Sequence, residues 1–191
     1  AYAPSNNTHE TLPATMTGRY PADWRQSGVV FGLDQTIAED LRALDYQTSA
    51  VLTMSSPTEG LAWGFERVRA RLGEINNSKM AVNSRATTAE ALRALDELDT
   101  TAPFLLWVHY FDPHGVYVRR KDVPDWFPIE DTMQNRYARE VFATDRAIGE
   151  LVSQLKRRGI YDRAVIAFFS DHGEAFGESG VYWHLHHTIE P

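Results

Sequence analysis

Asp171 and His172 stand side by side within Ser170-Asp171-His172-Gly173-Glu174, directly after the apolar run Ala164-Val165-Ile166-Ala167-Phe168-Phe169. A carboxylate offers a hard oxygen and an imidazole a borderline nitrogen, a pair that suits a divalent ion such as zinc or manganese. Open α/β sheets gather ligands at the carboxyl ends of their strands, which is where the pair falls if the apolar run is a strand. Gly173 lets the backbone turn away at once. The same triplet also serves as an ordinary turn in which Asp caps the next segment, so the metal reading depends on what accompanies it.

Three segments accompany it. Phe104 to Tyr110 is a second apolar run, ending in Phe111-Asp112-Pro113-His114. Pro113 fixes its own φ and restricts its predecessor, so His114 stands in a turn just past a strand end, where a second catalytic imidazole fits. His109, inside the run, reads as a core or edge histidine rather than a ligand. Ser5 to Pro21 reads as a polar turn, a short helix, Gly18 at its end and Pro21 as the stop. A threonine at the helix start caps free N–H groups. The same placement sets a hydroxyl nucleophile where a helix N-terminus favours a phosphate or sulfate. Tyr182-Trp183-His184-Leu185-His186-His187 brings three histidines that can contact a metal or an anionic ester, although such tracts also occur as solvated surface.

Together these segments resemble the sulfatase family of the alkaline-phosphatase superfamily, metal-dependent hydrolases of sulfate, phosphate and phosphonate esters. Thr17-Gly18-Arg19-Tyr20-Pro21 resembles the segment that closes the family's nucleophile helix. Phe111-Asp112-Pro113-His114 resembles its strand-end histidine motif, and Ser170-Asp171-His172-Gly173-Glu174 its second metal motif. Tyr137 to Leu155, then Arg158-Gly159-Ile160-Tyr161-Asp162, resembles the helix before that motif.

The resemblance implies Asp171 and His172 as ligands of a divalent metal ion (Ca, Mn, Zn or Mg). It implies His114 and His184 as catalytic and substrate-binding residues on the ester's anionic oxygens or leaving group, with His186 also binding substrate. For the nucleophile it leaves two registers. Counting back from Thr17-Gly18-Arg19 lands on Thr8; aligning Thr11-Leu12-Pro13 with the family's nucleophile-x-Pro pattern lands on Thr11. Thr8 is preferred, because the fold sets the distance to the helix exit. The implied substrates are small-molecule, glycan or lipid esters of sulfate or phosphate. A periplasmic or membrane-associated extracytoplasmic setting is expected, with membrane association of the parent protein.

The departures from the family pattern carry equal weight. Sulfate-cleaving members carry a formylglycine made from Cys or Ser, yet this chain has no Cys and both candidate positions are Thr. The motif arginine four residues on is replaced by Leu12 or Thr15, depending on register, and the basic pair after the next strand is not visible in Met54-Ser55-Ser56. Threonine nucleophiles occur in relatives that act on phosphodiesters or transfer phospho-alcohols. Three readings therefore stand: an ester hydrolase, a transferase of a phospho-alcohol onto lipid or glycan, and a non-catalytic relative binding anions or glycans. The family also places an acidic metal-ligand strand upstream of Ala1 and further strands beyond Pro191. The chain is expected to be an internal piece, weak in metal binding and turnover by itself.

The 191 residues suffice to bury a core as one domain. A net charge of −7 argues against a nucleic-acid surface, while a local metal and histidines can still draw an anion. Without Cys there is neither disulfide framework nor thiol chemistry.

The elements that must position the site alternate between helix and strand. Thr36 to Leu44 has helical spacing with Ile37, Leu41 and Leu44 on one face. Gln47 to Thr53 reads as a strand, Leu61 to Leu72 as a short helix, and Asn76-Asn77-Ser78 as a turn. Ala86 to Leu98 is a helix with Ala91, Leu92, Leu95 and Leu98 inward. Residues 115 to 131 form a long loop whose Trp126 and Phe127 either line a substrate entrance or, the preferred reading, tuck beneath it as a satellite cluster. Met133 to Arg158 is one amphipathic helix with the stripe Tyr137, Val141, Ile148, Leu151, Val152 and Leu155. Lys156-Arg157-Arg158 opposes its dipole, and Gly159 closes it. Residues 163 to 169 complete the series as a strand. The order predicts an alkaline-phosphatase-like α/β three-layer sandwich around a largely parallel central sheet, incomplete at both ends.

Overall fold

The computed structural model describes residues 2–22, 35–53, 62–70, 84–115, 117–118, 123–124 and 126–184. In chain order these form α1 (Thr8–Thr17), α2 (Ile37–Arg42), β1 (Gln47–Leu52), β2 (Arg67–Ala70), α3 (Ser84–Glu97), β3 (Phe104–Val108), α4 (Met133–Arg157), β4 (Ala175–Phe176) and β5 (Tyr182–Trp183). Strands β2-β1-β3 make a parallel sheet with β1 in the middle. Two helical layers cover it, as the period of two along β1 requires. Ala50 and Leu52 face a cluster with Leu12 and Met16 of α1, Ala38 of α2 and Phe65. Val51 faces the other side, where Ala91, Ala94, Leu95 and Leu98 meet Leu151 and Ile160. The sheet is thus an apolar middle layer between α1–α2 and α3–α4, the α/β three-layer arrangement expected.

Local signals place the helices. Asn7 caps α1 by accepting from the His9 N–H at 3.0 Å, and Gly18 ends it at φ +69° with its N–H on the Ala14 carbonyl. Thr36 and Glu39 form a reciprocal capping box at the start of α2. Asp112 lies buried at the start of α3 and accepts the Ser84 N–H at 2.9 Å.

Four expectations are corrected. Residues 67–70 of the predicted helix Leu61–Leu72 form strand β2, paired with β1 from Ser49↔Arg67 to Leu52↔Ala70; Leu61, Arg71 and Leu72 lie outside the described residues, as does the Asn76-Asn77-Ser78 turn. The predicted strand at 163–169 forms no ladder among the described residues. It lies beside β3 through side chains, with Phe169 against Trp107 at 5.6 Å, and Val165 is fully exposed. An apolar run by itself specifies neither a pairing partner nor burial: residues 164–169 are exposed here. On α2, Ala38 is buried while Ile37 and Leu44 are exposed. On α4 the buried face is Glu140, Thr144, Ala147 and Leu151, with Val141 left outside. The reason is close approach: the Thr88 hydroxyl donates to the Ala147 carbonyl at 2.8 Å, and the Ser84 and Thr144 hydroxyls meet at 3.0 Å, so small residues must line that seam.

Trp126 and Phe127 do cluster, stacking on each other and edge-on to Phe142 of α4, though Trp126 stays largely exposed.

Candidate functional site

The start of α1 meets the loop 171–174. Thr8 is the first helical residue, so its side chain leaves the end of the helix rather than its flank. Its Oγ1 donates to Asp171 Oδ2 at 2.8 Å and lies 2.9 Å from His172 Nε2. Thr11 sits elsewhere: fully buried, its hydroxyl donates back to the Asn7 carbonyl at 3.1 Å. Of the two candidate hydroxyls, the structure brings only Thr8 to the acid–imidazole pair.

Three imidazoles surround this point, each held in the same sense. His172 Nδ1 contacts the Gly173 carbonyl at 2.8 Å, His114 Nδ1 the Gly115 carbonyl at 2.7 Å, and His184 Nδ1 a carboxylate oxygen of Glu174 at 3.0 Å. Carbonyls and carboxylates only accept, so each Nδ1 carries the hydrogen and each Nε2 is left for the site. The His172 and His184 rings lie 4.3 Å apart and the His114 and His184 rings 5.5 Å. His114 stacks on Phe111 at 4.3 Å, and burial lowers its pKa below the ordinary histidine value. His186 lies outside the described residues.

The donor set at Thr8 fits a cation. One threonine hydrogen faces two acceptors, Asp171 Oδ2 and His172 Nε2, and those atoms are 3.4 Å apart. One O–H cannot satisfy both, and the unserved lone pairs face each other. Three donors around a divalent ion with bonds of about 2.1 Å are spaced roughly 3.0–3.4 Å apart, close to the observed triangle. Among the described residues, no group of three or more His, Cys, Asp or Glu is arranged to hold a metal ion.

Two residues without an assigned role belong to the site. Glu174 follows the metal motif, and its second oxygen accepts from the Tyr117 hydroxyl. Ala175↔Trp183 and Phe176↔Tyr182 pair in the short β4–β5 hairpin, so continuing the register sets Glu174 opposite His184. Tyr117 is 3% exposed, among Tyr137, Phe176 and Trp183. Burial, then the Glu174 carboxylate, pushes its phenol far up, so it remains a donor. Sequence spacing hinted at Glu174 only through its adjacency to the motif; nothing marked Tyr117. His109 feels the same region electrostatically: burial drives its pKa down to about 4, with the Asp171 charge opposing.

The sulfatase family model matches residues 1–191. The chain belongs to the sulfatase family. The uncharacterized sulfatase YdeN of Escherichia coli K12 is 33% identical over 92 residues, covering 45% of this chain and 16% of that protein. Among solved structures, the lipoteichoic acid synthase LtaP of Listeria monocytogenes superposes with a TM-score of 0.64 at 20% identity, over 82% of this chain and 41% of that one. A Vibrio parahaemolyticus protein of the alkaline phosphatase superfamily gives 0.60 at 18% identity, over 82% and 40%. These likenesses show that the chain shares the α/β fold of those two proteins, as expected. The sulfatase-family chain spans less than half the length of each of these relatives.

Proposed function

We propose that this chain carries the nucleophile and part of the metal centre of a metal-dependent esterase acting on phosphoric or sulfuric esters. The observation that carries the reading is the Thr8 hydroxyl, held between Asp171 and His172 at a helix N-terminus. Asp171, His172 and Thr8 would hold the divalent ion. Once bound, such an ion acts as a Lewis acid on the ester and lowers the pKa of a hydroxyl near it.

The chain's own groups do the rest. Thr8 Oγ1 would give up its proton to Asp171, the acceptor it already faces, and attack in line; a covalent ester forms on Thr8 as the bond from the phosphorus or sulfur to the leaving alkoxide breaks. His114 and His184, when protonated on Nε2 as well, would donate from it to the anionic oxygens or the departing oxygen. Water then releases the product. A phosphoric ester is favoured over a sulfuric one, because Thr in place of Cys or Ser leaves an ordinary hydroxyl as nucleophile. If an alcohol replaces water in the second step, the same site is a transferase; the fold neighbour named a lipoteichoic acid synthase favours keeping this second reading.

The test is turnover by the full-length protein of nitrophenyl phosphate, a nitrophenyl phosphodiester and nitrophenyl sulfate, with and without added manganese or zinc. Metal-dependent phosphoester cleavage supports the hydrolase. Release of nitrophenol only when an alcohol acceptor is added supports the transferase. Preferential sulfate cleavage refutes the phosphoric preference.

A further inference from the structure

Glu174 does more than fill the hairpin. Its side chain is 7% exposed and that of His184 12%. One carboxylate oxygen accepts from Tyr117 and the other meets His184 Nδ1 at 3.0 Å. A carboxylate engaged on both oxygens from different elements cannot rotate without breaking one contact. Tyr117 is in turn wedged among aromatic rings, at 5.4 Å from Tyr137 and 5.9 Å from Trp183. Trp183 also fixes the neighbouring loop: a Cβ on Gly115 would fall 2.4 Å from its ring, so the glycine lets the His114 loop dock flat against it. Trp183 itself holds φ +71°, a left-handed conformation that surrounding structure must enforce.

We propose that Glu174, clamped by Tyr117, is a positioning residue that locks His184 with hydrogen on Nδ1 and Nε2 turned to the Thr8–His172 face. Every proton or hydrogen bond exchanged with the ester then runs through one nitrogen in one orientation. Unlike Gly115 and Gly173, which hold the other two rings through their own backbone, Glu174 is a side chain that substitution can remove. The catalytic part of this inference rests on the esterase reading.

The experiment is two-bond proton–nitrogen NMR on the metal-free protein labelled with 15N-histidine, for the native sequence and Glu174→Ala. The expected result is hydrogen on Nδ1 of His184 in the native protein and a shift toward Nε2 in Glu174→Ala, with the His114 and His172 patterns unchanged. Hydrogen on Nε2 in the native protein, or an unaltered His184 in the variant, overturns the proposal. The native measurement decides even if the variant fails to fold. In the full-length protein, Glu174→Ala lowers kcat for nitrophenyl phosphate on the order of 10²-fold with KM changed by less than about threefold; a loss confined to KM overturns the positioning role. If the native protein cleaves no ester, the esterase reading fails, and the NMR result still decides whether Glu174 holds His184.

Discussion

Thr8 and Asp171, 163 residues apart in sequence, share a hydrogen bond of 2.8 Å that joins the start of α1 to the loop after the apolar run 164–169. The contact brings a hydroxyl, a carboxylate and, through His172, an imidazole to one point. None of the three would form a reactive centre alone. An unassisted hydroxyl is a weak nucleophile near neutral pH, and here its hydrogen already points at an acceptor.

The partial ligand set predicts a graded dependence on metal. In the full-length protein, chelation with EDTA abolishes ester turnover and added manganese or zinc restores it. Asp171→Ala weakens metal affinity by at least about 10²-fold, since even residues behind metal ligands are worth 10–100-fold. Calorimetric titration of manganese into native and variant protein checks this; equal affinities would remove Asp171 from the ligand set.

Acid should weaken the fold through His109. Burial lowers its pKa from 6.5 to about 4, so between those values the unfolded chain binds a proton that the folded chain refuses. This contribution is fully present above about pH 6.5 and is lost as pH falls through about 4, amounting to about 3 kcal/mol. Urea unfolding at a series of pH values, on native protein and His109→Phe, measures it. The variant should lose less stability on acidification; parallel curves would contradict the assignment.

Asp112 is expected to matter for stability before chemistry. It accepts the Ser84 N–H at the start of α3 and is buried. Asp112→Ala leaves that donor without its acceptor and should cost about 2 kcal/mol, or roughly 4–8 °C in Tm. Thermal unfolding reports the loss, and an unchanged Tm would show that the cap contributes nothing.

The sequence was legible where chemistry is local. Asp171 and His172 are adjacent, and the apolar run before them made their turn visible. Gly18 and Gly159 end their helices at positive φ, as their positions predicted. Legibility ended where partners are distant. Arg67–Ala70 pairs with β1 across a long connection, and its spacing fitted a helix equally well. The seam between α3 and α4 buries Thr144 and Ala147 rather than Val141, because hydroxyl-to-carbonyl contacts pull the helices close. Tyr117 and Glu174 meet because a two-pair hairpin sets the register and the Tyr117 ring packs against Phe176 and Trp183 of that hairpin. The preference for Thr8 over Thr11 rested in sequence only on the distance to the helix exit. Helix geometry separates them, one hydroxyl leaving the helix end and the other turned back to Asn7.

The most direct test compares Thr8→Ala and Thr11→Ala in the full-length protein with saturating metal and nitrophenyl phosphate. Loss of turnover by more than about 10³-fold in Thr8→Ala, with Thr11→Ala affected mainly in stability, is the predicted result. Retained turnover in Thr8→Ala, or its loss in a fully folded Thr11→Ala alone, would contradict Thr8 as the nucleophile.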